Sequence, residues 1–304
     1  MSRIKSTIFY FAAVSSLLVS EQINARDTFR LQSPGKVTLE YQPFSGLPSS
    51  HTFYLKLKSN KRNISQSDNH NSYRVRIRPS DSGPFEAKQG AHVLPIDLRS
   101  LGARDLRQIG NEYYQPLSPS TLYDDNMELG YEVIVRPSIF AKPGVYTLPI
   151  DIDLLESNTE QKVGETRTTN LRVQVRPKIQ TNIAGTRANY EDGATFAVVD
   201  FGNLESGESE RVFIQVRGNA MARLKISSDN QGRMIHQSLP DLSVNYSIKV
   251  DGQRSELRNP LILTRPVAQD LQGSAYPMEI VVGDVSTSFS GNYHDVITIN
   301  VSPQ

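Results

Sequence analysis

Alternation of apolar and polar residues at period two runs through most of the chain. Lys36–Gln42 puts Val37, Leu39 and Tyr41 on one face, and Phe53–Lys58 does the same with Phe53, Leu55 and Leu57. Tyr73–Arg78 sets Tyr73, Val75 and Ile77 against Arg74, Arg76 and Arg78. Such runs predict half-buried antiparallel strands, because successive side chains of a strand point to opposite faces. Gly130–Arg136, Gly144–Leu155 and Asn170–Arg176 continue the series, divided by turn clusters at Pro79–Gly83 and Ala141–Gly144. A second series follows at Ala194–Phe201, Glu210–Arg217, Ala222–Ser227, Ser243–Val250, Met278–Val282 and His294–Val301. Asp251-Gly252 predicts a hairpin turn, since both residues tolerate positive φ. One stretch breaks the pattern. Leu98, Leu101, Leu106 and Ile109 are spaced for a helical turn.

The second series repeats the first. Gly144-Val145-Tyr146 opens an alternating run to Leu154, and Gly291-Asn292-Tyr293 opens another to Val301, 147 positions later. The expected fold class is therefore all-β, with two immunoglobulin-like β-sandwich domains. The first should span 26–178 and the second 193–304, joined by a linker at 179–192. The first copy continues into Asn170–Arg176, whereas the second stops at Gln304. The expectation is a C-terminal sandwich that is incomplete and takes a strand from another chain, because a missing strand leaves a sheet edge and part of the core open. Tyr293, Ile297, Ile299 and Val301, on one face of the last strand, should border that donor-strand groove. Phe196 and Val198, on one face of the domain's first strand, should border its other side.

The N-terminus changes the compartment. Arg3 and Lys5 precede a mostly apolar run from Thr7 to Ser20, and Ile23-Asn24-Ala25 suits cleavage, so residues 1–25 read as a signal peptide. The run is shorter than the ~20 residues of a membrane span. Removing Arg3, Lys5 and Glu21 from totals of 33 basic and 32 acidic residues leaves a formal charge of zero. The charges are interspersed, which argues against nucleic acid as a partner. The chain has no cysteine, so disulfides, Cys-based zinc sites and thiol catalysis are excluded.

Little in the chain points to catalysis, and no cofactor is expected. The five histidines (His51, His70, His92, His236, His294) lie far apart, with no pair at metal-ligand spacing. There is no Gly-x-Ser-x-Gly elbow and no phosphate-cradling loop. Asp151 and Asp153 read as a solvated strand face, and Asp124-Asp125-Asn126 as a polar turn. The stretch Gly110–Asp125, punctuated by Pro116 and Pro119, gathers Tyr113, Tyr114, Leu117, Leu122 and Tyr123. It reads as a candidate binding loop, with a core-capping role for the rings as the competing reading.

Val199-Asp200-Phe201-Gly202-Asn203-Leu204-Glu205-Ser206-Gly207 near the start of the second domain, and Gly291–Val301 at its end, carry a resemblance. Over about residues 190–304 the chain resembles the spore coat protein U family of secreted pilin-like domains. The resemblance implies an incomplete immunoglobulin-like fold, completed by donor-strand exchange, in a subunit of an archaic chaperone–usher pilus. Many members carry disulfide cysteines, and this chain has none. The tip subunits of such pili have two domains and lack a free N-terminal donor strand. Here Arg26–Gly35 leaves little room for one. The implied role is a tip adhesin, exported through the periplasm to the fimbrial tip at the cell surface. Its implied partners are an adjacent pilin subunit, a periplasmic chaperone and the outer-membrane usher. Two other readings remain: a periplasmic pilus-assembly chaperone, which would want a complete second domain, and a secreted carbohydrate-binding protein, which would want an aromatic platform or paired carboxylates.

Overall fold

The computed structural model describes residues 29–59, 72–102, 106–117, 127–137, 140–184 and 197–304. The stretch expected to be a signal peptide, Asp124–Asn126, Leu122, Tyr123 and Phe196 lie outside the described residues. Within them, every regular element is a strand. In chain order these are β1 (Phe29–Gln32), β2 (Lys36–Tyr41), β3 (Ser49–Ser59), β4 (Tyr73–Pro79), β5 (Glu86–Gln89), β6 (His92–Pro95), β7 (Asp97–Ser100), β8 (Arg107–Ile109), β9 (Glu112–Leu117), β10 (Met127–Val135), β11 (Gly144–Glu156) and β12 (Lys162–Val175). There follow β13 (Ile179–Ala184), β14 (Ser209–Gly218), β15 (Ala222–Ser228), β16 (Arg233–His236), β17 (Ser243–Val250), β18 (Gln253–Ser255), β19 (Leu261–Arg265), β20 (Ser274–Val282), β21 (Tyr293–His294) and β22 (Ile297–Pro303). The protein is all-β and consists of two sandwiches.

The first sandwich packs a β1-β3-β10-β7 sheet on a β2-β12-β11-β4-β9-β8 sheet, with the β5–β6 hairpin joined to β11. Between β1 and β2 the chain crosses from one sheet to the other. The Thr169 hydroxyl donates to Pro34 O at 2.8 Å and Asn170 N to Gly35 O at 3.0 Å, which fix that crossing. β2 then lies parallel to β12, with Val37 opposite Leu171, Leu39 opposite Val173 and Tyr41 opposite Val175. All six side chains are buried, so the last strand is clamped between β2 and β11 and the core is sealed. Burying each such side chain contributes about 1.5–3 kcal/mol. Among the described residues, Leu106 and Met127 are the partly buried hydrophobic residues packed on this core.

The second sandwich has a β13-β14-β20-β17-β16-β21 sheet, with β18 on β17, and a three-stranded β19-β15-β22 sheet. β13 falls within the stretch expected to be linker. Its alternation is masked by polar residues, but it pairs along its whole length with β14. The joint between sandwiches is correspondingly short. Asn219, buried at the end of β14, accepts from Lys178 N at 2.8 Å and donates to Ala141 O and Arg176 O, both at 3.1 Å. The hairpin at Asp251-Gly252 forms, with φ of 47° and 85° and Val250 opposite Gln253.

Two expectations are corrected here. The described residues of 98–109 form no helical turn. Leu98 pairs with Val133 on β10 and enters the core, whereas Leu101 and Ile109 are exposed, so their helical spacing has no common face. Asp153 is not on a solvated face. It keeps the outward parity opposite Ile152 and Leu154, but it lies among Arg76 and Arg78 of β4 and Thr166 of β12, which leave it 1% exposed. There it accepts from Arg76 Nη2 at 2.7 Å and from the Thr166 hydroxyl at 2.7 Å, with Arg78 at 3.9 Å. Burial pushes its pKa up, but the Thr166 hydrogen bond and the Arg76 and Arg78 charges outweigh burial and hold it below the usual carboxylate value.

The depressed value sets a pH dependence. The stabilisation is present above the unfolded aspartate pKa of about 3.9 and is lost as pH falls through the lower folded value. Asp153→Asn should therefore lower first-domain stability at pH 7 by about 2 kcal/mol, a typical loss for charge-assisted hydrogen bonds. It should also flatten the acid side of the stability profile, as thermal melts from pH 7 to pH 2 would show.

Candidate functional site

The repeat read from sequence is a repeat of local geometry. Gly144 and Gly291 have φ of 141° and 154°, a region that favours glycine. A Cβ at Gly144 would overlap Gln89 Nε2, and one at Gly291 would overlap His236 Nε2. Those two nitrogens contact the carbonyl just before each glycine, Pro143 O at 3.3 Å and Ser290 O at 3.4 Å. Two residues on, each tyrosine bonds back four residues: Tyr146 OH donates to Lys142 O at 3.2 Å and Tyr293 OH to Phe289 O at 2.9 Å. This is the tyrosine corner that begins the sixth strand of immunoglobulin-like sandwiches. β11 and the β21–β22 pair are thus equivalent strands.

From the corner onward the two domains part. β11 pairs with β4 on one side and β12 on the other. β22 pairs with β15 through Ala222–Ser228, and among the described residues its other edge has no strand. The inner residues show the consequence. Tyr146, Ile150, Ile152 and Leu154 are 0–2% exposed, whereas their equivalents Tyr293, Ile297, Ile299 and Val301 are all partly exposed. These four pack against the second core without being covered.

The uncovered side is a groove of about 1020 Å³. Tyr293, Ile297 and Ile299 line one wall. The segment 197–204 lines the other, and Val212, Met278 and Ile280 of the opposing sheet form the floor. Five residues of the groove expectation are described. Tyr293, Ile297, Ile299 and Val198 meet at the cavity, while Val301 continues the wall as a partly buried residue of the core. The first-strand expectation is corrected: 197–200 is not a strand, and Val198 is 75% exposed. The residues packed on the core are Val199 and Phe201, of opposite parity. The physical reason lies in the first domain, where the equivalent β2 is a strand only because β12 runs beside it. The floor residues were not singled out from sequence, although the alternation of Met278, Ile280 and Val282 placed them on one face.

The aromatic stretch in the first domain is strand at its start, not loop. Tyr113 and Leu117 lie on β9 and are 6% and 3% exposed, and Tyr113 meets Phe85 edge-on at 4.7 Å. Burial raises the pKa of the Tyr113 hydroxyl. These two residues fill core, because period two on β9 turns them inward. Tyr114 points the other way. It is half-buried under the Arg74 guanidinium, 4.8 Å from the ring centroid, and donates to Glu112. Tyr113→Ser should destabilise the first domain by about 3–5 kcal/mol, the range for removing a large core ring. Tyr114→Ser should cost much less, and urea unfolding of the two variants separates the cases.

No family model matches the chain, and no curated protein matches it. Similar folds occur among solved structures. One is in the CsuC–CsuE chaperone–tip adhesion subunit pre-assembly complex from archaic chaperone–usher Csu pili of Acinetobacter baumannii, at 14% identity. It covers 90% of this chain and 99% of that one, with a TM-score of 0.49. Another is CfaE, the adhesive subunit of CFA/I fimbria of enterotoxigenic Escherichia coli, at 11% identity. There 93% of this chain matches 83% of that one, with a TM-score of 0.39.

Proposed function

We propose that this protein is a tip adhesin subunit of a chaperone–usher fimbria. Its second sandwich would be completed by a donor strand from the adjacent pilin subunit. The observation that carries the reading is the groove along β22, at the place where the first sandwich holds β12. A strand laid there would hydrogen-bond the free edge of β22 and cover Tyr293, Ile297, Ile299 and Val301. The first sandwich shows the fit required of it. Thr169, Leu171, Val173 and Val175, at alternate positions of β12, face the core and are buried. Covering four half-exposed apolar side chains contributes several kcal/mol, at roughly 25 cal/mol per Å². That is comparable to the 5–15 kcal/mol net stability of a whole domain, so an empty groove needs protection. A periplasmic chaperone would supply it in transit, and the outer-membrane usher would exchange it for the pilin strand. The first sandwich, with its sealed core, would carry the contact to a surface or host ligand, and the localisation would be the fimbrial tip.

The open edge of β22 also weighs against the chaperone alternative, which would want a complete second sandwich. The carbohydrate-binding alternative loses Tyr113 as a platform, since its ring is in the core.

The two sandwiches should behave differently when separated. A fragment of residues 26–178 should melt cooperatively alone. A fragment of residues 177–304, which includes β13, should do so only when a peptide copying an alternating pilin strand is added. A cooperative melt of 177–304 without peptide would falsify the reading. Ile299→Asp buries a charge under the incoming strand, at a cost of several kcal/mol if unrelieved. It should abolish incorporation into pili while leaving the melt of the first sandwich unchanged, as pilus pull-down and calorimetry would show.

A further inference from the structure

The inner face of the last strand carries one residue that a sandwich core does not explain. Along β11 the inward positions read Tyr146, Leu148, Ile150, Ile152 and Leu154; the equivalents are Tyr293, Asp295, Ile297, Ile299 and Val301. Leu148 is 2% exposed in the sealed core. Asp295 holds the same place in the open groove and lines it.

Its carboxylate is saturated with donors from two directions. Oδ2 accepts from the Ser228 hydroxyl and from the Tyr246 hydroxyl, both at 2.5 Å. Oδ1 accepts from Asn230 N at 3.2 Å, Asn230 Nδ2 at 3.0 Å and Val296 N at 2.8 Å. Ser228 ends β15 in the three-stranded sheet, while Tyr246 is buried on β17 in the opposing sheet. Asp295 also sits where the last strand changes sheets. β21 pairs with β16 on one side and β22 with β15 on the other, and Asp295 and Val296 are the step between. Gly232 N donates to the Ser228 hydroxyl at 2.7 Å and Asp229 N to Val296 O at 3.0 Å, so the turn 228–232 is tied to the same point.

We infer that Asp295 is a positioning residue that holds the groove open, at strand-accepting width, before its occupant arrives. An uncovered apolar cleft between two sheets gains by closing on itself. In the first sandwich β12 keeps β11 at its distance. In the second, a charge spanning both sheets does so, because shifting either sheet breaks hydrogen bonds to an anion, which are about twice as strong as neutral ones. The carboxylate needs no cation from the occupant, since donors of its own chain already satisfy it. An apolar strand can therefore cover it. The inference rests on the donor-strand reading for what enters the groove, but not for its width.

The test uses the full chain, whose lack of cysteine allows two to be introduced for spin labels. Labels at the exposed positions Val198→Cys and Asn300→Cys report the width of the groove directly. Asp295→Leu, which installs the first domain's residue, should shorten the distance between labels by about 5 Å, roughly one strand spacing. The double variant Ser228→Ala, Tyr246→Phe removes the two hydroxyl donors and should shorten it too, which keeps the test decisive should Asp295→Leu fail to fold. A synthetic peptide of residues 167–176, the strand that completes the first sandwich, is the binding probe. Its affinity should fall at least tenfold in both variants. An unchanged label distance in either folded variant overturns the inference, whatever the peptide does. A shortened distance, in a chain whose unaltered form binds no peptide at all, upholds the inference and overturns the donor-strand reading alone.

Discussion

The constraint on which the molecule depends is that the strand after a tyrosine corner must be covered on its inner face and paired on its outer edge. The first sandwich meets it internally. β12 pairs with β11 over most of its length and is flanked in turn by β2, so no inner residue of β11 beyond Tyr146 exceeds 2% exposure except the half-buried edges of the strand. The second sandwich carries the same corner, the same glycine packed against a side-chain nitrogen and the same pairing to the neighbouring strand, and among the described residues the other edge has no strand. Asp295 apart, the inner face of the last strand is as apolar as that of β11. The difference is made by whatever lies beside it.

That difference propagates across the domain. β2 is a regular strand because β12 gives its backbone donors and acceptors a partner, and a backbone group without one does better in water. The equivalent segment 197–201 packs on the core through Val199 and Phe201, and it takes no strand form. A missing strand therefore removes a second one, and the cleft runs from the last strand to the segment 197–204. Its floor comes from the opposing sheet, so the same cleft exposes both layers at once.

Much of this was legible in the chain. The strands, the two-domain repeat and the half-exposed face of Tyr293, Ile297, Ile299 and Val301 follow from period two and from the spacing of Gly-x-Tyr. The misses have physical causes. β13 lies in the stretch expected to be linker because Gln180, Thr181 and Asn182 hide its alternation, and it is a strand because β14 offers an edge. The sequence leads one to expect Val198 inward because an isolated run of apolar residues does not reveal its own parity; the core selects Val199 and Phe201. Asp153 lies on the outward face that its parity predicts, but its burial there depends on Arg76, Arg78 and Thr166 of the neighbouring strands, which the local pattern of β11 does not show. The functional part of the first sandwich was the least legible, since aromatic content near Tyr113 served the core equally well.

Two carboxylates held by their own chain's donors, Asp153 and Asp295, show why charge in these sandwiches is not simply surface. Asp153 is buried in a finished sheet and takes its compensation from Arg76 and Arg78, charges on the neighbouring strand. Asp295 lies in an unfinished one and takes its compensation from hydroxyls and amides alone. An arginine beside Asp295 would compete for the space and the edge that a strand needs, and its long side chain would have to be desolvated when the groove filled. Neutral donors impose no such cost. A chain without a single cysteine has no covalent means of holding an unfinished sandwich in shape. Hydrogen bonds to a fixed anion do the same task at the one point where the last strand passes between sheets.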